Sequence, residues 1–326
     1  MNRKSSKNIA DLAVSFARGL GVFAAILATA AGISSTVSAQ GRIEKPNITF
    51  GVLPITNYAV VYLASKEGLF QAEGLNVTPR MMGGANAIAA LVGGDFDIAG
   101  ITWTSFVLAY NRGIELVPVS EADRGVPGNA MYLVKADSAI RTTADLLGKK
   151  VGVVTVGGAC DYLLNDDIRK KGLDYKTVAY TPIGVPDMAP TLLRGGIDAA
   201  CIPEPILTAV KEQGGVRPIM DAFAGENNNW PIVGFSVTKQ FADANPNTVT
   251  ALRRALEKAL KMANQNPDKL RELYPTYTTL KPEDAKKIAI SFNPPESDFK
   301  QVKRIAALME RLGVIPQGSK LPPSIQ

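Results

Sequence analysis

Residues 149–160 read KKVGVVTVGGAC, an apolar run that two glycines separate from a helix-like segment. A strand that is apolar along its whole length is typical of a parallel sheet buried on both faces. The glycines Gly157 and Gly158 suit a tight turn in which the backbone lies open to a ligand. This stretch therefore predicts a strand, a turn and a helix of an α/β protein.

The chain on either side of this stretch alternates between strand and helix patterns. The predicted strands are 48–53, 76–82, 96–101, 115–119, 131–135, 177–182, 197–202 and 232–238. Amphipathic or small-residue helices separate most of them, and two series of such units imply two α/β lobes. We predict that residues 40–133 and 235–326 form lobe 1 and that residues 134–234 form an inserted lobe 2. The crossover strands lie near Tyr132 and Phe235.

A clear amphipathic helix over residues 248–263 follows the second series of units. Its buried stripe is Leu252, Leu256 and Leu260, at a spacing of four residues. The basic residues Arg253, Arg254, Lys258 and Lys261 are predicted to form a solvated outer face.

The amino-terminal segment is not expected to belong to the fold. Residues 1–18 are basic, residues 19–33 are uncharged and apolar, and small residues follow at 37–39. This order is typical of a secretory signal peptide, so we predict cleavage after residue 39 and a periplasmic mature protein. Removal of residues 1–39, with four basic side chains and one Asp, lowers the net charge from +6 to +3.

The composition excludes several kinds of function. The 326 residues include no histidine, which excludes histidine acid–base catalysis and histidine metal ligation. Two cysteines alone cannot form a structural zinc site. The weak positive charge does not indicate nucleic-acid binding. We expect no catalytic residue, no cofactor and no metal.

Several strings of residues resemble one family. They are ASKEGLFQAEGLNV (64–77), GGANAIAALVGGDFDIAG (83–100), ADLLGKKVGV (144–153) and LLRGGIDAACIPEP (192–205). They are similar, in the same order, to segments of the nitrate/sulfonate/taurine-type periplasmic binding proteins, a family that also includes pyrimidine-precursor binders. The resemblance implies a type II periplasmic-binding fold, with a ligand cleft between two lobes joined by two crossover strands. It also implies a monomer that delivers a small-molecule ligand to an ABC permease.

The ligand of such a fold is expected beyond the carboxyl ends of the strands, where helices begin. This rule selects loops that contain the candidate ligand-binding residues Asn57, Tyr58, Gly84, Ala85, Asn86, Trp103, Thr104, Gly157, Gly158, Ala159 and Cys160. The family's Glu-Pro pair adds Glu204, which either contacts the ligand or orders its own loop.

Some candidates have a structural interpretation as well. Trp103 and Tyr58 are predicted to stack on the ligand, although both residues also suit core packing. Asp97 and Asp198 are predicted to order loops. A disulfide between Cys160 and Cys201 is compatible with export, but their adjacency is not evident from sequence, and we predict two buried thiols.

The ligand class remains open at this stage. A small organic anion or zwitterion is favoured, and a pyrimidine-like or aromatic compound is the alternative. Asp161, next to the glycine loop, would repel an anion if it pointed inward. A pyrimidine-synthase-like enzyme with this fold is disfavoured, because its chemistry needs histidine.

Overall fold

The computed structural model describes residues 41–82 and 87–325, which contain ten strands and twelve α-helices. The strands are β1 (Asn47–Val52), β2 (Asn76–Met81), β3 (Ile98–Thr102), β4 (Leu116–Gly125), β5 (Ala130–Lys135), β6 (Lys150–Val153), β7 (Ala179–Pro182), β8 (Ala199–Pro203), β9 (Val216–Asp221) and β10 (Trp230–Thr238). The predicted signal peptide lies outside the described residues.

Helices lie between the strands along the chain, and the last five follow β10 as a carboxyl-terminal group. They are α1 (Ala59–Lys66), α2 (Leu69–Ala72), α3 (Ala87–Gly93), α4 (Trp103–Asn111), α5 (Ala159–Lys170), α6 (Val185–Leu193), α7 (Ile206–Gln213), α8 (Lys239–Ala244), α9 (Pro246–Gln265), α10 (Asp268–Tyr277), α11 (Pro282–Ala285) and α12 (Val302–Arg311). Short 3-10 turns lie at Thr56–Tyr58, Thr143–Leu146, Tyr175–Thr177, Gly225–Asn227 and Phe299–Gln301. No helix in the described part of the chain combines the length and apolar character needed to span a membrane.

Two five-stranded sheets form the two lobes, which confirms the predicted fold class. The order is β2-β1-β3-β10-β4 in lobe 1 and β7-β6-β8-β5-β9 in lobe 2. The prediction of parallel sheets was incomplete, because β10 is antiparallel to β3 and β4, and β5 is antiparallel to β8 and β9. β5 and β10 are the first strands after the chain passes from one sheet to the other. Each runs opposite to the strands on either side of it in its sheet.

The passage between the sheets differs slightly from the predicted boundaries. The chain leaves the first sheet after Gly125 and joins the second at Ala130; it returns between Asp221 and Trp230. Tyr132 therefore lies within the second sheet, and the change of sheet precedes the predicted positions by several residues. Both lobes belong to one compact unit, residues 43–326.

The carboxyl-terminal helices complete the core of the protein. Leu252, Leu256 and Leu260 of α9 are fully buried, as the spacing predicts. In α12 the apolar positions Val302 and Ile305 are also fully buried. Burial of a leucine-sized side chain stabilises the fold by about 1.5–3 kcal/mol, so these stripes fix both helices on the rest of the molecule.

Candidate functional site

A cavity of about 140 Å³ lies where the carboxyl ends of strands from both sheets meet. Residues of both lobes line it: Leu53, Ile55, Thr56, Asn57, Tyr58, Thr102, Asn129, Ala130, Val154, Thr155, Gly158, Ala159, Cys160, Pro203, Glu204, Phe223, Ile232, Val233 and Ser291. We call this cavity the cleft. Its position after β1, β3, β6 and β8 is the one expected for a ligand of an open α/β sheet.

Six of the twelve predicted site residues line the cleft. They are Asn57, Tyr58, Gly158, Ala159, Cys160 and Glu204. Gly84, Ala85 and Asn86 lie outside the described residues. The structure therefore brings the loop after β1 and the start of α5 together with the Glu-Pro segment.

Tyr58 lines the cleft and is also part of the core. Its hydroxyl donates a hydrogen bond to the Gly100 carbonyl at 3.2 Å, and its ring lies 6.1 Å from that of Phe235. A Cβ at Gly100 would lie 2.2 Å from the tyrosine ring, so glycine is required for this close approach. Burial raises the pKa of Tyr58 far above its usual range, and the hydroxyl stays protonated.

Trp103 does not line the cleft, contrary to the prediction. Its side chain is 0% exposed and packs edge-on against Phe106 and Phe299, at centroid distances of 5.4 and 5.8 Å. The reason is local, because Thr102 caps α4 by accepting a hydrogen bond from the Ser105 amide at 3.3 Å. The cap residue Thr102 lines the cleft, and Trp103 begins the helix with its side chain in the core of lobe 1.

Thr104 and Gly157 are also absent from the cleft lining. Thr104 is buried, and its hydroxyl lies 3.1 Å from that of Thr102. Gly157 adopts a φ of +80°, a conformation that favours glycine. Its amide donates a hydrogen bond to the Asp161 carboxylate within the turn. Gly157 therefore shapes the loop, and Gly158 is the glycine that lines the cleft.

Asp161 occupies the amino-terminal end of α5. Its carboxylate accepts a hydrogen bond from the Gly157 amide, and the residue is almost fully buried. Burial raises the pKa of Asp161 to about 6, although the nearby backbone amides, Gly157 first among them, oppose this shift. The helix end that could attract an anion thus already has a carboxylate of the protein beside it.

Cys160 and Cys201 form a disulfide, which corrects the prediction of two free thiols. Their Cα atoms are 6.3 Å apart. The separation of 41 residues conceals this adjacency in the sequence. It arises because β6 and β8 are neighbours in the sheet, with Gly152 paired to Ala200, and α5 begins just beyond β6. The bond links the cleft edge of α5 to the centre of the second sheet.

Glu204 lies in the cleft wall and is 4% exposed. Its two carboxylate oxygens accept hydrogen bonds from the Thr208 amide at 3.1 Å and the Thr208 hydroxyl at 2.6 Å. Burial raises its pKa, and the hydrogen bonds from Thr208 partly offset this effect. Glu204 therefore orders the start of α7 and also presents a carboxylate to the cleft.

Asp97 and Asp198 order loops, as predicted. Asp97 accepts hydrogen bonds from the Thr49 amide at 2.9 Å and from the Lys45 ammonium at 2.6 Å. Asp198 accepts one from the Lys150 amide at 2.8 Å. Each carboxylate thus fixes the loop that leads into the strand beside it.

Asp123, near the end of β4, is a residue that the sequence analysis missed. It is 1% exposed and accepts a hydrogen bond from the Asn57 side-chain amide at 2.6 Å. Burial raises the pKa of Asp123 to about 7, against the opposing hydrogen bonds from Ser291 and Asn57. The signal was present as the run of charged residues at 121–124 inside an apolar strand.

The described residues contain no cluster of three or more His, Cys, Asp or Glu side chains that could hold a metal ion. The described cleft lining offers one carboxylate, two side-chain amides, hydroxyls and apolar side chains for binding. This arrangement suits recognition of a small molecule by hydrogen bonds and packing.

Comparisons with known proteins agree with this architecture. The model of the NMT1-like family matches residues 41–275. An aliphatic-sulfonate-binding protein of Escherichia coli K12, itself described as putative, is 30% identical over 138 residues. That match spans 42% of this chain and 43% of the relative, so the chain aligns with less than half of the relative's length.

Two solved structures share the fold. The alkanesulfonate-binding protein from Xanthomonas axonopodis pv. citri, bound to MOPS, has a TM-score of 0.72 at 20% identity, covering 87% of this chain and 99% of its own. The periplasmic nitrate-binding protein from Synechocystis PCC 6803 also has a TM-score of 0.72, at 14% identity, covering 86% and 84%. Together with the family match, these structures confirm the resemblance found in the sequence.

Proposed function

This chain belongs to the NMT1-like family, and we propose that it is the periplasmic solute-binding component of an ABC importer. The observation that carries the proposal is the cleft itself, because residues of both sheets line a single cavity at the carboxyl ends of their strands. A small molecule held there contacts both lobes at once. Such a ligand stabilises the closed arrangement over an open one, and closure is what a membrane permease would sense.

We propose a binding role and not a catalytic one. The sequence has no histidine. The one carboxylate in the described cleft lining, Glu204, has a pKa raised by burial. It accepts hydrogen bonds from Thr208 at the start of α7. A general base needs a carboxylate within hydrogen-bond reach of a substrate proton and a partner that stabilises the developing charge. We further propose a monomer that acts without nucleic acid.

The test is a panel of solutes added to the protein purified from the periplasm. The panel contains sulfonates, taurine, nitrate, pyrimidines, aromatic acids and small amines. One class should raise the Tm. At a hundredfold excess of ligand over Kd, the free energy of unfolding should increase by about 2.7 kcal/mol. The same compound should reduce the radius of gyration measured by small-angle scattering.

A variant of the cleft lining provides the control. Ala159→Trp fills the cleft from the first turn of α5, and it should abolish both responses while the fold is retained. Ala139→Trp adds the same side chain at an exposed position and should leave both responses unchanged. Chemical turnover of the stabilising compound, or a response that survives Ala159→Trp, would contradict the proposed role.

A further inference from the structure

The charge of the cleft lining is the starting point for the ligand class. Among the described residues that line the cleft, Glu204 is the only one with a formally charged side chain. An anion placed in this cleft would therefore meet a buried carboxylate and no opposing ammonium or guanidinium group.

The helix that faces the cleft does not replace the missing cation. Gly158, Ala159 and Cys160 of the α5 amino terminus line the cleft, and free amides at such an end would attract an anion. Here the buried Asp161 carboxylate lies in the first turn of the same helix and accepts a hydrogen bond from the Gly157 amide. A ligand anion at this helix end would lie near a carboxylate of the same chain, and the like charges would oppose its binding.

Three donors in the described cleft lining, the side chains of Tyr58, Thr102 and Asn129, are engaged within the protein. The Tyr58 hydroxyl donates to the Gly100 carbonyl at 3.2 Å, and the Thr102 hydroxyl donates to the Ser105 hydroxyl at 2.8 Å. The Asn129 side-chain amide donates to the Ala289 carbonyl at 2.8 Å. An anionic ligand needs several donors that converge on it, and these groups point to acceptors of the protein instead.

Acceptors, in contrast, remain available to a ligand. The Asn57 side-chain amide donates to the buried Asp123 carboxylate at 2.6 Å. Because a carboxylate accepts, this contact orients the NH₂ group of Asn57 toward Asp123 and leaves its carbonyl oxygen for the cleft. The Glu204 carboxylate has about four acceptor sites, of which Thr208 uses two and the Ala289 amide uses one, at 3.5 Å.

We infer that the solute of this cleft carries a hydrogen-bond-donating, cationic amino group directed at Glu204 on a short apolar body, and that the cleft rejects anions. The inference rests on the proposed solute-binding function and specifies its ligand. The apolar body packs against Leu53, Ile55, Val154 and Ile232. The cavity of about 140 Å³ approaches the roughly 150 Å³ that suffices for a benzene ring.

Three probes with one ring each test the inference on the unmodified protein. Benzylamine presents an ammonium group, benzyl alcohol presents a neutral donor, and benzenesulfonate presents an anion. Titration calorimetry at pH 7.5 should give a Kd for benzylamine at least tenfold lower than for benzyl alcohol. Benzenesulfonate should bind at least a hundredfold more weakly than benzylamine.

Variants at two glutamates assign the effect to the cleft. Glu204→Gln keeps an acceptor for the Thr208 amide, and it should weaken benzylamine binding at least tenfold while changing benzyl alcohol binding less than threefold. Glu212→Gln removes the same charge from an exposed position on α7 and should change neither. Benzylamine affinity should also fall as the pH falls, because a protonated Glu204 no longer attracts an ammonium group.

Other outcomes would overturn the inference. The inference is wrong if benzenesulfonate binds as tightly as benzylamine. It is also wrong if benzylamine binds no more tightly than benzyl alcohol. Both measurements use the unmodified protein, so they do not depend on the folding of a variant. If benzylamine fails but a sulfonate or nitrate raises the Tm and contracts the protein, the ligand class is wrong and the proposed function stands. If no compound of the larger panel binds, both are contradicted.

Discussion

Substitution of Asp123 by Asn should stabilise the protein at pH 8 and destabilise it in mild acid. Asp123 is 1% exposed, and burial raises its pKa from 3.8 to about 7. Between these two pH values the folded state binds more protons than the unfolded state, so the free energy of unfolding falls as the pH rises through this window. Above pH 7 the loss is complete, and below pH 3.8 it is absent.

The magnitude follows from the shift. At about 1.4 kcal/mol per pH unit, a rise from 3.8 to about 7 corresponds to roughly 4 kcal/mol of stability lost at pH 8. The substitution removes this loss, but it buries an amide NH₂ group that needs an acceptor of its own, at a pH-independent cost of about 1–3 kcal/mol. The Asn57 hydrogen bond survives, since the new amide still offers a carbonyl oxygen.

Urea denaturation at a series of pH values between 4 and 8 measures this effect. The free energy of unfolding of Asp123→Asn minus that of the parent should increase by a few kcal/mol from pH 4 to pH 8. Asp137→Asn, which removes a carboxylate with 77% exposure, controls for the change in net charge. A difference that stays constant over the series would refute the assignment of a proton to Asp123.

Two further predictions concern the cleft's support. The double variant Cys160→Ser/Cys201→Ser should lose about 4 kcal/mol of stability. This is the entropy that a disulfide removes from the unfolded chain for a separation of 41 residues. A urea midpoint equal to that of the oxidised parent would contradict this. Gly234→Ala should cost about 1–3 kcal/mol, because its Cβ would lie 2.2 Å from the Trp103 ring. Gly93→Ala, where a Cβ meets no atom within 4 Å, is the control, and a thermal scan in which both variants melt together would refute the packing argument.

Local patterns predicted the repeating part of the fold well. The strand after Lys149, the stripe Leu252, Leu256 and Leu260, and the glycine turn at Gly158 depend on neighbouring residues in the chain, so their sequence carries the information. The direction of a strand does not depend on its neighbours in the chain, and for this reason the local patterns did not reveal that β5 and β10 are antiparallel to the strands beside them. Their orientation follows from where the chain crosses between sheets.

Long-range pairs account for what the sequence did not reveal. The face of α9 that was expected to be solvated is engaged: Arg254 and Lys258 bind the buried Glu73 at 2.7 and 2.6 Å, 181 and 185 residues away. Burial raises the pKa of Glu73, but the hydrogen bonds and charges of these two residues outweigh it and hold the pKa below its usual range. The disulfide and the buried Asp123 likewise depend on partners that no local pattern identifies.

The buried carboxylates near the cleft lower the stability of the fold because they are desolvated. They also bear on the ligand, because they accept hydrogen bonds from donors of the protein. Asp123 and Asp161 are both desolvated, with pKa values of about 7 and about 6, so above neutral pH each is held charged against its burial. Replacement of such groups by neutral ones is expected to stabilise a protein, and their retention is typical of a functional site. Asp123 orients Asn57, and Asp161 closes the helix end to anions. Asp123 thereby removes the Asn57 amide group from the donors of the cleft, and a ligand that supplies its own donor meets the acceptors that remain.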